Sequence, residues 1–148
     1  MNRIHIVVVA LLFLIPITAE HLVIPVTDSI QPHVLWLTSD AIKKGDYVTF
    51  PFQHPFINDN KPSFLTKKVA CVAGDRLEVR GGAVYCNDEI KAVTNLNIVQ
   101  NPKVTMFAFD GVIPEGKVLV LGEHPRSFDS RYYGLVNLDE MQKSIPLF

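Results

Sequence analysis

The chain lacks charge of a single sign. Fourteen Lys and Arg stand against fifteen Asp and Glu, a net charge of −1, and no run of basic residues concentrates the positive charge. That excludes the electrostatic footprint of a nucleic-acid binder. Cysteine is scarce, with two residues in 148. Two thiols do not make a zinc site, and no His has the spacing to complete one; no metal or organic cofactor is implied. Internal repeats and low-complexity tracts are missing. No segment beyond the amino-terminal one carries a long helical apolar period, which argues against a helical architecture.

Apolar residues are abundant, at 48%, and one segment explains much of that share. Residues 4–19 are almost wholly apolar, broken only by His5, and follow Asn2-Arg3. The segment fits a cleaved signal peptide, with a basic start and small residues at Thr18-Ala19. It also fits a short retained anchor, spanning ~24 Å as a helix against a hydrocarbon core of ~30 Å. On either account residues 20–148 form one domain outside the cytoplasm. That compartment permits Cys71 and Cys86 to bridge neighbouring strands; two buried free thiols are the alternative.

Short β runs separated by turn residues fill the rest. Gly45-Asp46 leads into Tyr47-Val48-Thr49-Phe50, residues 64–72 make a longer strand, and Gly74-Asp75 turns into Leu77-Glu78-Val79. Gly81-Gly82 between two short runs is a two-residue hairpin signal. Residues 117–121 and 132–136 supply further strands. Residues 53–62 read as a surface loop. Residues 88–111 read as an insertion or an irregular strand pair, and Pro146-Leu147-Phe148 as an end that packs or frays. The pattern predicts an all-β domain. Trp36, Phe50, Phe52 and Phe56 are candidates for a membrane-facing surface or for packing.

Nucleophilic chemistry needs an activated side chain. A serine requires a base, yet His5, His21, His33, His54 and His124 have no evident orienting partner and read as ordinary histidines. A lysine serves instead if desolvation lowers its pKa. Lys67 and Lys68 are adjacent in an apolar strand, so one of them faces inward. An inward Lys is costly unless something uses it; an edge strand with both amines reaching water is the alternative.

Three segments, in order, resemble the conserved boxes of the S26 serine peptidases, the signal peptidase I family. They are Ser29-Ile30-Gln31-Pro32, Lys67-Lys68 through Gly74-Asp75, and Ser127-Phe128-Asp129-Ser130-Arg131 with Gly134. The resemblance implies a signal-peptidase-like β-sheet catalytic domain behind an apolar amino-terminal helix. It implies Ser29 as nucleophile, neutral Lys67 as general base, and Ser127 as the group orienting Lys67. It places Thr27 with the Ser29 N–H in the oxyanion hole, and makes Asp129 and Arg131 a structural ion pair.

The run from His124 to Tyr132 is most like the TraF-type peptidases of conjugative transfer. That resemblance implies a pilin-like precursor as substrate and a bacterial inner-membrane enzyme with its catalytic domain on the periplasmic side. A general signal peptidase and a non-catalytic assembly protein of the same fold are the alternatives. Several positions depart from the family pattern: Ile30, Pro32, His33, Ala73, and Gly122-Glu123-His124 in place of a common Gly-Asp-Asn. These changes touch pocket edges and turns more than reacting atoms.

Overall fold

The computed structural model describes residues 20–148; the expected anchor or signal peptide at 1–19 lies outside them. No described helix is long and apolar enough to cross a membrane. Strands dominate, as the turn-punctuated sequence predicts, and they form two antiparallel sheets. The larger contains β1 (Leu22–Val23), β2 (Leu35–Thr38), β3 (Tyr47–Phe52), β4 (Ser63–Cys71), β9 (Lys117–Leu121), β10 (Val136–Asn137) and β11 (Gln142–Pro146). Its spatial order is β1-β2-β11-β3-β4-β9-β10. The smaller contains β5 (Arg76–Arg80), β6 (Ala83–Cys86), β7 (Glu89–Val93) and β8 (Phe109–Val112), in the order β7-β6-β5-β8.

The β5–β6 hairpin closes on Gly81-Gly82, both at positive φ (56° and 78°). Two successive positive φ values give a turn twist that matches the strands, and glycine adopts them without a Cβ clash.

Strand β9 is buried on both faces and serves two cores. Val118 and Val120 pack with Val48, Phe50 and Val69. Leu119 and Leu121 pack with Leu77, Val84 and Ile113. Strand β4 changes core through a bulge: Val69 lies opposite Val120 and Cys71 opposite Leu119, leaving Ala70 as the extra residue. The bulge resets the alternation of side chains. Val69 therefore joins the first core and Cys71 the second.

Cys71 and Cys86 are disulfide-bonded, with Cα atoms 6.3 Å apart. Here the neighbouring-strand expectation is corrected. Cys71 lies in the large sheet and Cys86 in the small one, because the bulge turns Cys71 toward the small sheet.

The strand expected over 132–136 is also corrected. Helix α2 occupies Ser130–Tyr133, leaving only Val136–Asn137 as strand. The Asp129 side chain accepts the Arg131 N–H and caps the helix, and Gly134, at φ 82°, ends it. Such a cap outweighs the β preference of two tyrosines. Residues 88–111 supply β7, the short helix α1 (Leu96–Val99) and β8, with the two strands at opposite edges of the small sheet.

The carboxyl end packs. Leu147 N–H donates to the Val34 carbonyl and His33 N–H to the Phe148 carbonyl, both at 2.8 Å. Phe50 lies in a core, Phe52 and Phe56 pack around Phe128, and Trp36 stacks on His21. All four aromatics make packing contacts within the domain.

The disulfide closes a 15-residue separation, for which chain entropy gives a stabilisation of about 3 kcal/mol. The double variant Cys71→Ala/Cys86→Ala is expected to lose roughly 2–4 kcal/mol in denaturant unfolding. A loss below about 1 kcal/mol would show that the bridge constrains neither sheet.

Candidate active site

Strand alternation separates the two lysines. Lys67 lies opposite Val48 and is 3% exposed; Lys68 lies opposite Tyr47 and its amine reaches the surface to meet Glu123. Burial lowers the Lys67 pKa from 10.5 to about 8, opposed by the negative charge of Asp129 and assisted by the positive charge of Arg131. An ordinary lysine would be neutral in only a few molecules per ten thousand at pH 7, whereas a pKa near 8 leaves roughly a tenth neutral.

Ser29 lies in the turn-rich stretch between β1 and β2. It lines a cleft of about 1050 Å³ together with Lys67, with apolar walls that include Ile24, Val26, Phe64 and Phe128. Val26 is 96% and Phe64 76% exposed at this cleft. A second, polar cavity of about 170 Å³ adjoins Ser29 and is lined by Thr27, Asp28, His124, Arg126 and Ser127. Ser29 thus borders both spaces. Its Oγ lies 3.0 Å from the Thr27 hydroxyl, so two of the expected site residues touch directly.

The bond expected between Ser127 and Lys67 is not made. Ser127 is 3% exposed and its Oγ has no hydrogen-bond partner among the described residues. A buried hydroxyl without a partner costs about 1–3 kcal/mol, so the position holds an unused hydrogen-bonding group in the polar cavity that Ser29 also lines.

Asp129 and Arg131 form a buried two-point pair, with Nε–Oδ1 at 2.8 Å and Nη2–Oδ2 at 2.6 Å. Asp129 also accepts the Gly122 N–H. The guanidinium donates further to the carbonyls of Val93, His124, Pro125 and Ser127. Neither residue lines the cleft or the polar cavity.

No described histidine lines the cleft that Ser29 shares with Lys67. His54 Nδ1 accepts the Phe56 N–H, and His124 Nδ1, in the polar cavity, accepts the Arg126 N–H. His21 stacks on Trp36, His33 lies in the segment tied to the carboxyl end, and His5 lies outside the described residues.

Two residues escaped the sequence reasoning. A Cβ on Gly122 would overlap the Ser127 side chain and stand 2.9 Å from the Ser29 carbonyl oxygen. Glu123, noted only as a departure from Gly-Asp-Asn, binds the segment around Ser29. Its N–H donates to the Ser29 carbonyl at 2.7 Å and its Oε2 accepts the Gln31 N–H at 2.8 Å. The sequence signal was an acidic residue beside a glycine just upstream of the third segment; its side-chain partners are 55 to 92 residues away.

Known proteins resemble this arrangement in sequence. The family model described as signal peptidase, peptidase S26, matches residues 1–144. Signal peptidase IB of Staphylococcus aureus, in strains Mu50 and N315, is 29% identical over 129 residues, covering 77% of this chain. The chain spans 64% of the length of these curated relatives. Among solved structures, a signal peptidase I from Enterococcus faecalis V583 aligns with 73% of this chain and 99% of its own, at 23% identity and a TM-score of 0.46.

Two outcomes follow from the burial. Unfolded, Lys67 takes its proton near 10.5; folded, near 8. Between those values the unfolded state binds more protons, so stability rises with pH, and below about 8 the full penalty, on the order of 3 kcal/mol, applies. Lys67→Met is therefore expected to be roughly 1–3 kcal/mol more stable than wild type at pH 7. The gap should close as pH climbs through that window, measured by denaturant unfolding across pH; a gap independent of pH would refute a desolvated amine. Gly122→Ala is expected to destabilise by more than about 2 kcal/mol in the same assay, because backbone and the Ser127 side chain both have to move.

Proposed function

The chain belongs to the signal peptidase, peptidase S26, family, and from that membership we propose that it is a membrane-associated serine endopeptidase working through Ser29 and Lys67 on exported precursor proteins. The observation that carries the proposal is the buried Lys67 amine, with its pKa lowered to about 8, lining the same cleft as Ser29. Buried lysines are costly, and packing alone gives no reason to place one in the cleft that Ser29 lines.

Neutral Lys67 takes the Ser29 hydroxyl proton as Oγ bonds to the scissile carbonyl carbon. The same proton then passes to the departing amine nitrogen as the C–N bond breaks, leaving an acyl-enzyme. Lys67 next takes a proton from water as the water oxygen bonds to the ester carbon, and returns that proton to Ser29 Oγ as the acyl C–O bond breaks. The Ser29 N–H and the Thr27 hydroxyl stabilise the oxyanion, each such donor contributing ~3 kcal/mol in the transition state. Ser127, buried without a partner, orients the Lys67 amine once substrate excludes water. Asp129 and Arg131 act behind the site.

An apolar cleft suits an extended apolar stretch ahead of the scissile bond, and the exposed Ile24, Val26 and Phe64 suit a site working at a bilayer surface. The run from His124 to Tyr132 favours a pilin-like precursor handled on the periplasmic side of a bacterial inner membrane. The likeness to proteins named Signal peptidase IB favours a broad range of signal-peptide-bearing precursors.

The test incubates membranes carrying wild type, Ser29→Ala or Lys67→Ala with a pilin-like precursor and, separately, an ordinary signal-peptide-bearing precursor, with products read by mass spectrometry. One cut bond in wild type and none in either folded variant is expected, and which precursor is cut separates the two substrate classes. Equal products from all three preparations would leave a non-catalytic assembly protein. The rate of cutting is expected to rise with pH along a limb centred near 8, since Lys67 acts unprotonated; a flat profile from about pH 6 to 10 would remove Lys67 as base.

A further inference from the structure

The stretch carrying Ser29 has little of its own to hold it. Between β1 and β2 it contains only turns and bends, Val26, Thr27 and Asp28 are exposed, and Ile30 is its buried apolar anchor. A nucleophile on such a stretch needs fixing from outside, because a displacement of about 1 Å costs on the order of a hundredfold in rate.

Glu123 reaches it from two sides. The backbone N–H of Glu123 donates to the Ser29 carbonyl at 2.7 Å, and its Oε2 accepts the Gln31 N–H at 2.8 Å. The peptide groups flanking Ile30 are therefore both held by one residue. The other carboxylate oxygen meets groups on two strands: Oε1 accepts the Tyr47 hydroxyl of β3 at 2.9 Å and the Lys68 amine of β4 at 3.2 Å. Lys68 is the strand neighbour of Lys67. One side chain thus links the nucleophile segment to the strand that carries the base.

We propose that Glu123 is a positioning residue for the nucleophile, holding the Ser29 segment through its carboxylate bond to the Gln31 N–H. The proposal rests on the peptidase role of Ser29. An N–H bonded to an ionised acceptor is held roughly twice as strongly as one bonded to a neutral oxygen. The ion pair to Lys68 is partly exposed, with the lysine side chain 41% accessible, and an exposed pair holds little by itself. The positioning therefore lies in the Gln31 bond, with the Tyr47 hydroxyl holding the other carboxylate oxygen.

The test uses the full chain in detergent micelles, with variants Glu123→Ala, Glu123→Gln and Lys68→Ala, Ser29→Ala as the inactive reference, and thermal melting to confirm folding. Two quantities are read: amide exchange at Gln31 by NMR, and kcat and KM on a precursor that wild type cuts. Glu123→Ala is expected to speed Gln31 exchange about tenfold or more and to lower kcat about 10- to 100-fold, with KM within about threefold. Glu123→Gln, which keeps a neutral acceptor, should recover part of both losses. Lys68→Ala should stay within about threefold of wild type in both.

Unchanged Gln31 exchange in Glu123→Ala would overturn the proposal. So would a kcat loss in Lys68→Ala equal to that in Glu123→Ala, which would assign the effect to the ion pair. If Glu123→Ala does not fold, Glu123→Gln against Lys68→Ala decides on the same readouts. If wild type cuts no precursor, the peptidase role fails, while Gln31 exchange still decides whether Glu123 holds the segment.

Discussion

Burial of the Lys67 amine is the constraint to which the other parts of the site answer. A lysine kept from water loses its proton more easily, but only if no uncompensated carboxylate stands near it. Asp129 stands near enough to raise the Lys67 pKa, and Arg131 near enough to lower it. Alone, Asp129 would favour the ammonium form of Lys67. The guanidinium engages both carboxylate oxygens, so the pair presents Lys67 with nearly balanced charge and desolvation dominates. On this account the ion pair behind the site preserves the basicity of a residue it does not touch.

The same pair shapes the turn that closes the site. A guanidinium has five N–H donors in a fixed plane. Those of Arg131 are shared among Asp129 and the carbonyls of Val93, His124, Pro125 and Ser127. Asp129 in turn holds the Gly122 N–H. Residues 122–127 therefore wrap a buried cation, which explains how so short a turn can present Glu123 to the nucleophile segment and Ser127 to its polar side. Breaking either partner would strand a buried charge, a change that costs several kcal/mol and would loosen the turn with it.

The parts of the site legible in sequence were those with local signals. Adjacent lysines in an apolar strand imply that one is inward, and Lys67 is. Two glycines between short apolar runs imply a hairpin, and β5–β6 is one. What stayed hidden depends on partners distant in the chain. The bulge at Ala70 comes from pairing with β9, and it sends Cys71 to the other sheet, so a bridge expected between neighbours joins two sheets. Tyr132-Tyr133 reads as strand until Asp129 is seen to cap a helical turn. Glu123 looks like a variant of a familiar acidic position, because Gln31, Tyr47 and Lys68 are not near it in sequence. The Ser127 bond to Lys67 was expected from resemblance, and the Ser127 hydroxyl makes no such bond.

The bulge gives strand β4 two duties only a few residues apart. Lys67 and Val69 face one core, while Cys71 leaves for the other and is tied there to β6. The end of the strand bearing Lys67 is therefore covalently fixed to the small sheet, which also packs on β9 through Leu77, Val84 and Ile113 against Leu119. Core packing of this kind resists separation but leaves sliding less constrained, whereas a covalent link fixes the distance between the sheets. Disulfides persist where the surroundings are oxidising, so the rigidity of strand β4 is complete only outside a reducing compartment.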